Sequence, residues 1–394
     1  MQHAVRGFGL AASLALVSTL AVVPQARAAS TSSPAAYVYI QIQGTAGAVY
    51  GFSASSTGQL TAISGAPWKP SGQIIGGNKS QFFTLGDQNL YSYGITSNGG
   101  IGSVIGQVPV LDYAGGSCGS GASGGDGAQL DHTGSNIYVL LENGSNFDCA
   151  AYQTYNITKA GYFDFAGDTE ITFPDQEQEG DYDFGLPSIL GNETFAYSQY
   201  LDNYGPIVSG FQRSSSGTLE VLSNFKVNVP TNSGGQGYVA TSPDASPAGN
   251  YVMLQLYPED APPGQLGVFT VNSEGDLSTT NTSSNMPTMP FSPKGTTFSP
   301  TGNLFVIWGD DGSDSGSGNG IQIYNFNGAA ALAPYKTLLS GTPIDQVAWD
   351  RSNHMYAISQ AENKLYVFTV TPTSVTQDTA WSIGSPYKMV VVSE

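Results

Sequence analysis

Seven times along the chain the same order of apolar and polar positions returns. An apolar run of strand length is followed by a polar or acidic loop, a second apolar run with an aromatic near its end, a Gly-containing turn and a further short strand. The aromatic marks the period: it falls at Phe52, Tyr93, Tyr155, Phe211, Phe269, Phe326 and Phe368, with separations of 41, 62, 56, 58, 57 and 42 residues. The common unit is about 40 residues plus loop insertions, which is room for four short strands. The turn after the aromatic strand repeats as SSTGQL (55–60), SNGGI (97–101), SSSGTL (214–219) and NSEGDL (272–277), where Gly supplies the positive φ of a hairpin turn. A second turn, DHTGSN, SPTGN or DRSN, precedes the apolar runs IYVLL, LFVIW and HMYAI.

Four strands per unit, seven units and no helical period predict an all-β fold, a seven-bladed β-propeller with four antiparallel strands per blade. Strands are labelled A to D from the inside outward. In blade 5 the expected strands are 238–241, 251–257, 266–271 and 276–280. The first unit begins directly with a B-type strand, YVYIQIQ (37–43), and the last carries an extra run, KMVVV (388–392). The C-terminal run is therefore expected to supply strand A of blade 1, closing the ring and removing free sheet edges.

Composition adds a compartment. Arg6, the uncharged apolar stretch Phe8–Val23 and the small residues of Ala26-Arg27-Ala28 read as a cleavable secretory signal. The apolar stretch is shorter than the roughly 20 residues that span a bilayer. The expected organisation is a signal peptide over 1–28, a linker over 29–36 and one propeller domain over 37–394, secreted or periplasmic, with no membrane span in the mature chain. The 394 residues carry a formal charge of −18, and only 11% are charged. Removing Arg6 and Arg27 leaves 10 basic residues against 30 acidic ones. Such a surface repels nucleic-acid phosphates and leaves small molecules, cations or an extracytoplasmic protein as partners of a monomer. The two cysteines, Cys118 and Cys149, are expected to form a disulfide in an exported chain.

The segment AVYGFSASSTGQLTAISGAPW (48–68), with the strand entries LDHTGSNIYVL (130–140) and SPTGNLFVIW (299–308), resembles the seven-bladed lactonase-like propellers. That family includes 6-phosphogluconolactonases and carboxymuconate-type cyclases. The resemblance covers roughly 37–394 and implies a metal-independent site of His, Arg and Glu side chains near the central channel. The mature chain has His132, His354, Arg213 and Arg351 for such a site. All four fall in turns or at strand ends, and none is expected to line the channel.

Propeller topology puts the B–C loops and the D-to-A connections on one face, and the A–B and C–D turns on the other. The first face collects the acids. Asp175, Glu177, Glu179, Asp181 and Asp183, in the connection entering blade 4, are the candidate ligand-binding residues. Asp310, Asp311 and Asp314, in the loop GDDGSDSGSGNG (309–320), are the candidate metal ligands. Calcium is the candidate ion there, and no cofactor is required. The opposite face keeps short turns, with Lys159 and Arg351 among its few charges. Two functions follow. The first is a non-catalytic binding or interaction scaffold that presents an acidic loop face. The alternative, implied by the resemblance, is a lactonase-type hydrolase or isomerase acting on a small sugar lactone.

Overall fold

The apolar runs read as B strands are buried over most of their length, and three strands throughout. Ala36–Ile42, Leu304–Gly309 and His354–Ser359 expose no residue to solvent. Alternate side chains of a strand point to opposite faces of its sheet, so a continuous apolar run requires a neighbour on both sides. In blade 1, Val38 and Ile40 pack with Tyr356, Ile358 and Leu365 of blade 7. Tyr37 and Tyr39 face the other way, onto Ile74 and Phe82 of blade 2. One such apolar cluster lies between each pair of neighbouring sheets. Full burial of a large aliphatic or aromatic side chain stabilises by about 1.5–3 kcal/mol, so these seams hold the ring together.

The computed structural model describes residues 33–44, 47–86, 88–113, 115, 123–142, 150–171, 183–202, 205–231, 234–258, 264–309 and 318–394. Ser33–Glu394 form one compact unit of seven sheets arranged as a propeller. Blade 1 takes strand A from Pro386–Ser393, then Ala36–Ile42, Val49–Ala54 and Leu60–Ala62. Blade 2 is Gln73–Gly77, Gln81–Gly86, Asn89–Ile95 and Ile101–Pro109, and blade 3 is Ser123–Leu130, Asn136–Glu142, Ala150–Ile157 and Phe163–Ile171. Blade 4 splits strand A into Asp183–Phe184 and Ser188–Ile189, followed by Phe195–Asp202, Gly205–Arg213 and Leu219–Val221. Blade 5 is Tyr238–Ala245, Tyr251–Pro258, Gln265–Val271 and Leu277–Ser278, and Val227–Asn228 adds a parallel edge piece to the last of these. Blade 6 is Gly295–Phe298, Leu304–Gly309, Gly320–Asn325 and Ala333–Leu338. Blade 7 is Gln346–Trp349, His354–Ser359, Lys364–Thr371 and Ser374–Ser382.

The C-terminal strand closes the ring as expected. It pairs antiparallel with the first strand, placing Val392 opposite Tyr37 and Val390 opposite Tyr39. Side chains stitch further blades together. Strand-B tyrosines donate to the backbone of the next blade's C–D turn: Tyr39 to Gly99 (2.8 Å), Tyr138 to Gly217 (2.7 Å) and Tyr197 to Gly275 (2.9 Å). The repeated aromatic of strand C packs in the seams, with one change of register. Phe211, Phe269 and Phe368 stand opposite the second residue of strand B, at Ala196, Val252 and Met355. In blade 6 that place belongs to Tyr324, opposite Phe305, and Phe326 lies just beyond the strand.

The expected Cys118–Cys149 disulfide is withdrawn: no disulfide is present among the described residues, and both cysteines lie outside them. A shared blade and face bring two loops near each other, but a disulfide needs Cα atoms within about 7 Å, which topology does not specify. Among the described residues no helix is long and apolar enough to cross a membrane.

Candidate functional site: the channel mouth on the short-turn face

Strand A is innermost in every blade, so the residues that follow it stand around the end of the channel. Each turn is closed by the same backbone bond. The N–H of Asp131, Leu190, Ser246, Ser299 and Asp350 donates to the carbonyl of Asn136, Phe195, Tyr251, Leu304 and His354, at 2.9–3.0 Å. Where the closing residue is Asp, its side chain also caps the turn. Asp131 accepts from the Ser135 N–H at 2.8 Å, and Asp350 from Ser352 and His354 N–H at 2.8 and 2.9 Å. Carboxylates suit this position because they satisfy turn donors that have no backbone partner.

The next residue in each turn is His132, Gly191, Pro247, Pro300 or Arg351, and in the shorter turn of blade 2 it is Lys79. His132, Pro247, Pro300 and Arg351 line a cavity of about 540 Å³, whose wall is completed by strand-A residues including Asp244, Thr297, Val347 and Val391. A second hollow of about 300 Å³ adjoins it, sharing His132 and Arg351 and adding Lys79. Two strong cations and an imidazole therefore surround one opening of a protein in which acids outnumber Lys and Arg by 30 to 12. His132 and Arg351 were expected away from the channel, and the structure corrects this. In the sequence the A–B turns read as short turns on the face opposite the acidic loops. Because strand A is innermost, the residue after it borders the channel.

The histidine's hydrogen bonding sets its tautomer. Nε2 of His132 lies 2.6 Å from the carbonyl oxygen of Ile189 in blade 4. A carbonyl only accepts, so Nε2 carries the proton and Nδ1 is the ring's acceptor when neutral. The other two candidates have structural work. Arg213 bridges blades 3 and 4, donating to Asp131 at 3.0 Å, Asn136 at 2.6 Å and the Tyr138 hydroxyl at 2.8 Å, with Glu193 3.5 Å away. Burial, and then the charge of Asp131, push the Glu193 carboxyl above its ordinary range, while Arg213 draws it back. His354 is buried, with Nδ1 2.7 Å from Asp350. As expected from the sequence, neither lines the cavity.

Sequence reasoning did not single out Asp244. It lies in strand A of blade 5 and lines the larger cavity beside Ala245. The strand is irregular just before it: Thr241 is opposite Gln255 but Asp244 is opposite Met253, and Ser242 has φ 48°. Gln199 of blade 4 holds this kink, accepting from the Thr241 hydroxyl and the Ser242 N–H. Oδ2 of Asp244 is closed off from solvent and has no hydrogen-bond partner. Burial pushes its carboxyl up to about 7, with Thr296 and Ser188 partly opposing the shift. Nothing in the local sequence YVATSPDASP signals this environment.

The remaining candidates fall elsewhere. Asp175, Glu177, Glu179, Asp181, Asp310, Asp311 and Asp314 lie outside the described residues, and for Asp183 only the backbone, paired with Leu201, is described. Among the described residues no group of three or more His, Cys, Asp or Glu is placed to hold a metal ion.

No protein-family model and no curated protein matches the sequence. Solved structures do. A candidate 6-phosphogluconolactonase from Bacteroides uniformis shares 13% identity, with 92% of this chain and 100% of that one covered, at a TM-score of 0.62. The periplasmic gluconolactonase of Pseudomonas aeruginosa shares 14%, covering 91% and 99%, at 0.60. A candidate 6-phosphogluconolactonase from Bacteroides fragilis shares 12%, covering 92% and 99%, at 0.59. At these identities the likeness is one of architecture, and it establishes that the chain has the seven-bladed propeller fold in the form also seen in 6-phosphogluconolactonase-type and gluconolactonase structures.

Proposed function

We propose that the protein is a lactonase-type hydrolase that opens a small sugar-derived lactone at the channel mouth on the short-turn face. The observation that carries this reading is the convergence of His132, Arg351 and a carboxyl in one cavity, with Lys79 in the adjoining hollow. Likeness over more than nine-tenths of the chain to the lactonase-type structures supports it. Lactone hydrolysis places negative charge on the carbonyl oxygen as water adds. Donors fixed around that oxygen stabilise the charge, and each is worth about 10²–10³ in rate. Arg351 is the strongest donor in the cavity and is assigned this role, with Lys79 attracting an anionic substrate to the opening.

The test is hydrolysis of glucono-δ-lactone and 6-phosphogluconolactone by the purified chain. Turnover above the spontaneous rate, lost on heat denaturation, is expected. Arg351→Met is expected to lower kcat/KM by about 10²-fold while leaving the unfolding temperature near that of the native chain. Absence of turnover on both lactones would overturn this reading in favour of a non-catalytic scaffold.

Export is part of the proposal. Arg6, the apolar stretch Phe8–Val23 and Ala26-Arg27-Ala28 support a signal that is removed, and one similar structure is named a periplasmic protein. Mass spectrometry of the chain recovered from a bacterial periplasm or medium should find it beginning near Ala29. An intact Met1 in that fraction would refute removal.

A further inference from the structure

We propose that Asp244 is the general base of the reaction: its carboxylate takes a proton from a water in the channel cavity as that water attacks the lactone carbonyl. The inference rests on the hydrolase reading above and gives it a second chemical group.

Three observations single out this residue. Asp244 belongs to the wall of the cavity that also holds His132 and Arg351. One of its oxygens is sealed from solvent without a hydrogen-bond partner. It follows a kinked stretch of strand A in which Ser242 adopts φ 48°, and such strain concentrates where a structure must aim a group. A purely structural carboxylate would be satisfied by donors, because leaving a buried acceptor unpaired costs about 1–3 kcal/mol. Asp131 and Asp350, the structural carboxylates of the blade 3 and blade 7 turns, each accept several hydrogen bonds. Asp244 differs in leaving one buried oxygen unpaired.

The contacts around it are few. Ser188 from blade 4 and Thr296 from blade 6 reach its carboxyl, and His132 and Arg351 are the titratable groups that share its cavity. No ion pair involving Asp244 occurs among the described residues. Burial therefore acts with little opposition, and the carboxyl is pushed up to about 7. A base poised near the working pH combines a usable ionised fraction with a real appetite for the proton.

The step balances as follows. A water O–H bond breaks and its proton passes to the Asp244 carboxylate, while the water oxygen bonds to the carbonyl carbon. The resulting oxyanion is stabilised by Arg351. As the carbonyl re-forms, the ring C–O bond breaks, and the departing ring oxygen takes the proton back from Asp244. One lactone and one water become one hydroxy acid, and the enzyme is restored.

The experiment is a pH–rate profile of glucono-δ-lactone hydrolysis for the native chain, Asp244→Asn and Asp244→Glu, from about pH 5 to about pH 8.5. For the native chain, kcat/KM is expected to rise through an inflection near 7 and level off. Asp244→Asn is expected to lose about 10²–10⁴-fold, and Asp244→Glu to recover part of the loss with an inflection of its own. A second readout needs no turnover. An acid whose carboxyl is raised on folding lowers stability as pH climbs from its unfolded value toward its folded one. The unfolding temperature of Asp244→Asn should therefore gain on the native chain between about pH 4 and about pH 7. If the native chain hydrolyses the lactone and Asp244→Asn retains activity within threefold, this inference falls and the hydrolase reading stands. If the native profile is flat across neutrality, the base is not Asp244. If the native chain has no turnover, both fall.

Discussion

Asp350→Ala is expected to be among the most destabilising single substitutions in the chain. Asp350 is fully buried in the A–B turn of blade 7. It accepts from the Ser352 N–H at 2.8 Å, the His354 N–H at 2.9 Å, His354 Nδ1 at 2.7 Å and the Tyr356 hydroxyl at 2.9 Å. Alanine would leave four donors facing a void, three of them on buried residues. Leaving a buried donor unsatisfied costs about 1–3 kcal/mol, and several donors lose their acceptor at once. Urea unfolding followed by tryptophan fluorescence measures this directly, and a loss below about 1 kcal/mol would show that the turn repacks. The pH dependence has a definite sign. Burial by itself would raise the Asp350 carboxyl, but the hydrogen bonds and charge of His354, with the Tyr356 hydroxyl, hold it below the usual carboxylate range. Its stabilising contribution is thus present above about pH 4 and is lost as pH falls through the lower, folded value. The gap between native and variant should narrow in acid. Arg351 is its neighbour at the channel rim, so under the proposed hydrolase function turnover should fall with stability.

Gly191→Ala is expected to cost about 3 kcal/mol, the upper end for overpacking, and to lower the unfolding temperature by roughly 4 °C. Gly191 donates its N–H to the Ser246 carbonyl at 3.0 Å, tying the A–B turn of blade 4 to that of blade 5. A Cβ built there would lie 1.9 Å from the Pro247 carbonyl oxygen and 2.3 Å from its carbon. Both are backbone atoms, so no rotamer change relieves the contact, and the two blades must move apart. Pro247 lines the channel cavity, so under the proposed hydrolase function the displacement should also reduce kcat/KM. An alanine variant melting within a degree of the native chain would show that the inter-blade seam is softer than its geometry indicates.

The architecture was legible because it is repetitive. In blade 5 the strands expected at 238–241, 251–257, 266–271 and 276–280 are found at Tyr238–Ala245, Tyr251–Pro258, Gln265–Val271 and Leu277–Ser278. The greatest shortfall is in strand A, where the kink before Asp244 hides a longer strand. In blade 6 the sequence period points to Phe326, whereas hydrogen-bond register puts Tyr324 in the equivalent place. Two aromatic positions two residues apart give the same signal in a one-dimensional pattern, and only pairing with Phe305 separates them.

The candidate site was not legible, and the reason is topological. His132 and Arg351 each read as unremarkable turn residues in DHTGSN and DRSN. They become neighbours of one cavity only because seven blades close into a ring and bring their inner edges to a common axis. The character of Asp244 depends on Ser188 of blade 4, Thr296 of blade 6 and a cavity wall drawn from several blades. The sequence by itself determined the number of blades, the apolar runs of the B strands and the role of the C-terminal strand, because these follow from local periodicity repeated along the chain. Tertiary structure alone decided which side chains share the channel mouth and that burial raises the Asp244 carboxyl, because both depend on distances between residues that no local pattern encodes.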